Sequence, residues 1–399
     1  MTAKPLLDRP AIVCGGGIGG LACALGLAQK GIASTVLEQA SRFGEIGAGI
    51  QLGPNAFHAF DYLGFGDAAR AQAVYIDRLA LMDAIEDAPI ADIPVDEPFR
   101  ARFGNPYAVV HRADLHGVLV EACVASPLIE MRTDARVVGY DQTGDTVTAI
   151  LADGSRLDGG LLVGADGLRS AVREQLVGDG EPRVSGHTTY RSVIPTEKMP
   201  EELRWNAATL WAGPKCHIVH YPLSGWKVFN LVATCHDDAP EPVSGQPVSK
   251  AEMRKGFEHV AARPLSIIDN GEDWRLWVLC DREPCETWVD GRVVLLGDAA
   301  HPTLQYMAQG ACMALEDAVC LSHKLESHDG DVDAALEDYR LERIPRTARV
   351  QMGSRLMGDH IFHPSGARAM LRNSIMRAKT AEDYYDDLQW LYGGTGLGG

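Results

Sequence analysis

The chain of 399 residues is long enough for two domains, or for one large domain with insertions. Hydrophobic residues at 46% and charged residues at 23% are ordinary for a globular protein, and they exclude disorder, collagen and coiled coil. A formal net charge of −17 argues against a nucleic-acid partner and requires any anionic ligand to find local positive charge or hydrogen-bond donors.

Lys4 and Arg9 precede an apolar run from Ala11 to Ala28, a superficial match to an export signal. Glycines interrupt it, most densely at Gly15–Gly20, and glycine disfavours a continuous helical segment, so no export is expected. No other window holds about 18 uninterrupted apolar residues, so no transmembrane helix is expected. Ala11–Cys14 instead predicts a short strand, and a helix follows to about Gln29, ended by Gly31. Thr35–Leu37 makes the next strand, closed by Glu38. Gly15-x-Gly17-x-x-Gly20 between strand and helix is the dinucleotide-binding pattern in its proper context. Gly15 allows the tight turn, Gly17 lets backbone approach a pyrophosphate, and Gly20 allows close helix–strand packing. The helix N-terminus offers N–H groups to phosphates, and Glu38 offers acceptors to ribose hydroxyls.

Farther on, Leu161–Val163 predicts a strand running into Gly164-Ala165-Asp166-Gly167. Between about Gly186 and Leu279 short β-rich runs dominate: Thr189–Ile194, Thr209–Ala212, His217–Tyr221, Val228–Thr234 and Trp274–Leu279, with His236–Ser249 as a polar loop. They predict a largely antiparallel sheet inserted into an α/β domain. Val293–Leu296 predicts another strand, ending in Gly297-Asp298-Ala299-Ala300-His301-Pro302, before a helix from about Ala308 to Lys324. Ligands of open α/β sheets bind at such carboxyl ends of strands. From Asp331 the pattern is helical, with Pro345 expected as a break. A second glycine pattern at Gly394–Gly399 has no strand before it and is expected to be a chance match.

The nine cysteines are odd in number, irregularly spaced and form no CxxC. No metal site or disulfide framework is expected, and the usage suits a reducing cytoplasm. In the strand around His217, period two places His217, Val219 and Tyr221 on one face and Ile218 and His220 on the other. The two histidines are therefore no metal pair. His217 with Tyr221 makes a polar constellation suited to an aromatic hydroxyl or carboxylate, or alternatively a satisfied core pair.

Leu161–Arg173 resembles the Asp-Gly fingerprint of class A flavoprotein monooxygenases, and Gly297–Pro302 resembles their Gly-Asp fingerprint. With Gly15–Gly20, three motifs in this order carry a resemblance covering nearly the whole chain. It implies non-covalent FAD, with NADH as transient co-substrate that needs no Rossmann domain of its own. It further implies a Rossmann-like FAD-binding domain (1–75, 107–186 and 281–345) interrupted by an antiparallel β substrate domain (76–106 and 187–280), then a C-terminal helical segment and tail (346–399). The cofactor-binding positions are then Gly15, Gly17, Ile18, Gly20, Glu38, Gly49 within Gly47–Ile50, Arg112, Asp166, Asp298 and Ala311. For Arg169 and Arg173 a structural role is the stronger expectation, with one of them doing no more than pair with a surface carboxylate. A homodimer rests on the same resemblance.

The segment His301–Ala311 discriminates within that family, because salicylate hydroxylases usually carry proline where Gln305 stands. Leu304-Gln305-Tyr306, Cys216-His217 with Tyr221-Pro222, and Asn105-Pro106-Tyr107 together resemble the 3-hydroxybenzoate 6-hydroxylase group. The resemblance implies a small aromatic carboxylate substrate, O₂ as oxidant and a C4a-hydroperoxyflavin as oxygen donor. His217 is the candidate base or relay, Tyr221 and Gln305 hold the ring, and Tyr107 is a further contact. A salicylate 1-hydroxylase, a 6-hydroxynicotinate 3-monooxygenase and a non-hydroxylating flavin redox sensor remain as alternatives.

Overall fold

A computed structural model of the chain describes residues 6–44 and 48–393. Lys4, Gly47 and the glycine pattern at Gly394–Gly399 lie outside the described residues. The first apolar strand, Ala11–Cys14, is wholly buried because helices cover one face of its sheet and the three-stranded antiparallel sheet of Val137–Thr143, Thr146–Leu151 and Arg156–Gly159 packs on the other. It pairs in parallel with Leu161–Gly164 on one side and Ser34–Leu37 on the other. Ile129–Arg132 and Val293–Leu295 extend the parallel order outward, and Val289–Asp290 closes one edge antiparallel. The helix Ile18–Gln29 packs between this sheet and the helix Gly310–Ser327.

Gly15 makes the first turn possible. Its φ of +109° suits glycine, and a Cβ there would lie 2.3 Å from the Ala165 carbonyl oxygen. A Cβ on Gly20 would meet the Gly15 carbonyl oxygen at 2.0 Å, which is the close helix–turn packing expected of it.

The β-rich region forms one eight-stranded sheet. Its antiparallel centre is Arg183–Pro195, Val228–His236, Cys216–Leu223 and Ala207–Gly213. Arg78–Asp83 joins Ala207–Gly213 in parallel and carries Ala88–Pro94 beyond it, so the sheet draws on two distant chain segments. His236–Ser249 is irregular apart from the short strand Gln246–Pro247.

Pro345 does not break the C-terminal helix, contrary to expectation: Val332–Leu356 is one helix of 25 residues. Proline removes a single i→i−4 bond, and the carbonyl it orphans belongs to Leu341, which is exposed to water. Buried charge holds the same stretch in place. Arg343 donates to Asp317 Oδ1 at 2.6 Å and to Glu316 Oε2 at 2.7 Å, and Arg346 donates to both Glu316 oxygens. Burial alone would raise the Asp317 carboxyl, but the charges of His301 and Arg343 hold it down at about 2. Asp317 Oδ2 in turn accepts from Gly297 N–H at 3.0 Å and His301 Nε2 at 2.5 Å. The network thus anchors the Gly297-Asp298 turn. Arg343→Met is expected to destabilise the fold by about 3–5 kcal/mol, because it removes the buried cation that Glu316 and Asp317 share. Denaturant titration checks this, and a loss below about 1 kcal/mol would show that Arg343 is not what neutralises them.

Candidate active site

A cavity of about 770 Å³ opens between the carboxyl ends of the parallel sheet and one face of the eight-stranded sheet. On the parallel side its wall includes Gly17, Ile18, Gly49, Arg112, Asp298 and Ala311. Three strand ends supply this wall: the turn after Ala11–Cys14, Ala165 and Gly167 after Leu161–Gly164, and Gly297-Asp298 after Val293–Leu295. Arg173 ties two of them together. It is fully buried, pairs with Asp179, and donates to the carbonyls of Ala299 and Ala300 at 2.9 and 2.6 Å. Arg169 is exposed, 4.0 Å from Glu181.

This wall fits a dinucleotide such as FAD. Gly17 caps the helix Ile18–Gln29 with no side chain of its own on the cavity, and the capping N–H groups lack a side-chain acceptor. Glu38 already accepts from Gly16 N–H and Ala40 N–H, each at 2.8 Å on a different oxygen. The remaining lone pairs are what it has for ribose hydroxyls. Asp166 sits behind this wall, with its Oδ1 buried and without a partner. Its Oδ2 accepts from Ala171 N–H at 2.8 Å and caps the next helix, burial raises its carboxyl, and its neighbours Ala165 and Gly167 form the cavity wall. Gly15 and Gly20 serve the turn and its packing and do not line the cavity.

The opposite wall reads directly from strand register. His217, Val219 and Tyr221 face the cavity, whereas Ile218 lies in the core behind the sheet. Cross-strand neighbours build three rows. Thr189, Thr234 and His217 form the first; Arg191, Val232, Val219 and Leu210 the second; Asn230, Tyr221 and Ala208 the third. Tyr221 packs against Gly49, where a Cβ would meet its ring at 2.5 Å, and burial raises its phenol above the usual range. Tyr107 also lines the cavity and donates to Gln51 Oε1 at 2.7 Å.

His217 has a partner that the sequence did not reveal. Its Nδ1 lies 2.7 Å from His363 Nε2, and the two rings stack. Burial, then the neighbouring His363 and His187, push its imidazolium well below the usual histidine range, so it is neutral at pH 7. Tyr306 packs edge-on to His217 and hydrogen-bonds His187 through its hydroxyl.

Gln305 lines the cavity, but its amide is largely committed to protein groups. Oε1 accepts from Arg191 at 3.0 Å, and Nε2 donates to Thr234 Oγ1 at 2.9 Å and Thr189 Oγ1 at 3.3 Å. Arg191 is the second residue missed from sequence. It lines the cavity with its guanidinium against the Trp277 ring, and burial lowers its pKa from the usual arginine value. Among the described residues no cluster of His, Cys, Asp and Glu is placed to hold a metal ion.

Residues 8–354 match the family described as FAD binding domain. The chain is 57% identical to 3-hydroxybenzoate 6-hydroxylase 1 of Aquipseudomonas alcaligenes, over 96% of this chain and 97% of that protein. It is 48% identical to 3-hydroxybenzoate 6-hydroxylase of Polaromonas naphthalenivorans strain CJ2, over 97% and 96%. Its structure is similar to that of Klebsiella pneumoniae HpxO complexed with FAD and uric acid, with a TM-score of 0.85 at 27% identity, covering 96% of this chain and 97% of that one.

Proposed function

The chain belongs to the class A FAD-dependent aromatic hydroxylases, and from that premise we propose that it converts 3-hydroxybenzoate, NADH, O₂ and a proton into 2,5-dihydroxybenzoate (gentisate), NAD⁺ and water. The observation that carries this reading is the single cavity wall bearing His217 and Tyr221 with Gln305 beside them, in a chain so similar to 3-hydroxybenzoate 6-hydroxylases.

Bound FAD supplies the redox chemistry, taking electrons from NADH and activating O₂ for transfer of one oxygen atom to the ring. Gly17, Arg112, Asp298 and Ala311 would hold it. His217 takes the phenolic proton, because a phenolate donates charge to its ortho and para carbons. That role requires the proton arrangement in which His217 Nδ1–H donates to His363 Nε2, leaving His217 Nε2 as the acceptor. Tyr221 fixes the ring, and Gln305 acts by holding Arg191 and the two threonines as much as by touching substrate. The apolar row Val232, Val219 and Leu210 floors the ring and keeps water from it.

The same reading assigns 1–75, 107–186 and 281–345 to cofactor binding and 76–106 with 187–280 to substrate. NADH binds transiently without a Rossmann domain of its own. All nine cysteines are free thiols, which supports a cytoplasmic setting, and no described helix is long and apolar enough to cross a membrane. Met370, Leu371 and Ile375 are exposed on the helix Gly366–Arg377, which supports a homodimer.

Regiochemistry tests the proposal. With 3-hydroxybenzoate, one NADH and one O₂ are expected per gentisate, with no CO₂. With salicylate, at most NADH oxidation and hydrogen peroxide release are expected. Product mass and gas analysis decide. Catechol with stoichiometric CO₂ from salicylate, and no gentisate from 3-hydroxybenzoate, would overturn the reading in favour of salicylate 1-hydroxylation.

A further inference from the structure

We infer that Arg191 is the anchor for the substrate's carboxylate and the residue that selects an anionic ring over its neutral counterparts. The inference deepens the proposed function and rests on its taking an aromatic carboxylate. The protein carries a net charge of −17, so an anion gains nothing from the overall field and needs a cation inside the cavity. Arg191 is the cation on the eight-stranded sheet's wall of that cavity, whereas Arg112 stands on the wall assigned to the cofactor. No carboxylate among the described residues pairs with it, and its electrostatic neighbours are Tyr221 and Arg112. Its Nε is buried without a hydrogen-bond partner. A buried guanidinium left this way is costly unless a ligand completes it.

The position also suits the shape of the substrate. Arg191 heads the row Val232, Val219 and Leu210, one same-face step along the sheet from the row of His217. Such a step is about 7 Å. An aromatic ring lying on Val232 and Val219 would present its hydroxyl towards His217 and a carboxylate towards Arg191. Gln305 Oε1 and the Trp277 ring hold the guanidinium in one orientation before any ligand arrives. A fixed planar fork is the donor geometry that carboxylates match.

The test compares 3-hydroxybenzoate with 3-hydroxybenzamide, which keeps shape and phenol but not charge, by titrating the FAD-loaded protein and reading the flavin absorbance change. Wild type is expected to prefer the carboxylate. Arg191→Gln is expected to weaken the carboxylate by about 10–100-fold, the worth of a charge-assisted hydrogen bond, and the amide by less than about 3-fold. Arg191→Lys keeps a positive charge and is expected to retain part of the preference, and it decides the matter if Arg191→Gln fails to hold flavin. Equal weakening of both ligands, no weakening of either, or a wild type that does not discriminate would overturn the inference. Failure of the substrate reading shows separately, as absence of gentisate from wild type. In that case titration of salicylate and 6-hydroxynicotinate against their amides still decides the role of Arg191.

Discussion

Gly17→Val is expected to purify colourless while keeping the fold. Gly17 lies at φ −76°, ψ −179°, extended backbone that any residue adopts, so the chain itself does not require glycine there. Its backbone lines the cavity at the N-terminus of the helix Ile18–Gln29, and a branched side chain would fill the space a pyrophosphate needs. Gly15 is the contrasting position. A side chain there runs into the Ala165 carbonyl, so Gly15→Val is expected to disrupt the fold itself. Flavin absorbance per protein, together with circular dichroism, separates the two variants. A Gly17→Val protein with full flavin content would remove this turn from the cofactor site.

His217→Ala is expected to slow hydroxylation by roughly 10²–10⁴-fold, the usual loss with a general base, while substrate Kd changes far less. Single-turnover rates, Kd and Tm together distinguish this from loss of a packing group, which would lower Tm and weaken binding instead. The pH dependence has a definite sign. The imidazolium of His217 is held well below the usual histidine value by burial and the neighbouring His363 and His187, so it is neutral at neutral and alkaline pH and adds no inflection of its own there. The defect should shrink as pH rises, because more of the substrate is then already phenolate. A defect constant with pH would speak against a role in moving the proton.

Much of this arrangement was legible in the sequence because its signals are local. Three of the parallel strands end in glycine beside a turn, so those strand ends could be aligned on one ligand from the sequence. Period two was enough to place His217 and Tyr221 on one face and Ile218 on the other. Contacts between distant segments were beyond such reasoning. His363 reaches His217 from the C-terminal region, and no periodicity links the two. Arg191 became visible only through register, which sets it in the Val219 row two strands away. The commitment of Gln305 to Arg191 and two threonines was hidden for the same reason. The capping role of Asp166 Oδ2 was hidden because the short helix it caps begins five residues on. Pro345 misled because a missing hydrogen bond costs little where water can replace it.

The three turns that meet on the cavity come from segments far apart in the chain, and Arg173 and Asp317 hold the last of them, Gly297–Ala300, in place. They converge only when the whole sheet is assembled, so an unfolded chain offers flavin no comparable site. Cofactor binding and folding are therefore linked by mass action, and free FAD at a hundredfold excess over its Kd adds about 2.7 kcal/mol to the apparent stability. A melting temperature of this protein is a property of the protein and its flavin supply together. A colourless variant will melt earlier than the yellow wild type with every protein contact intact, and flavin-stripped wild type is its proper reference.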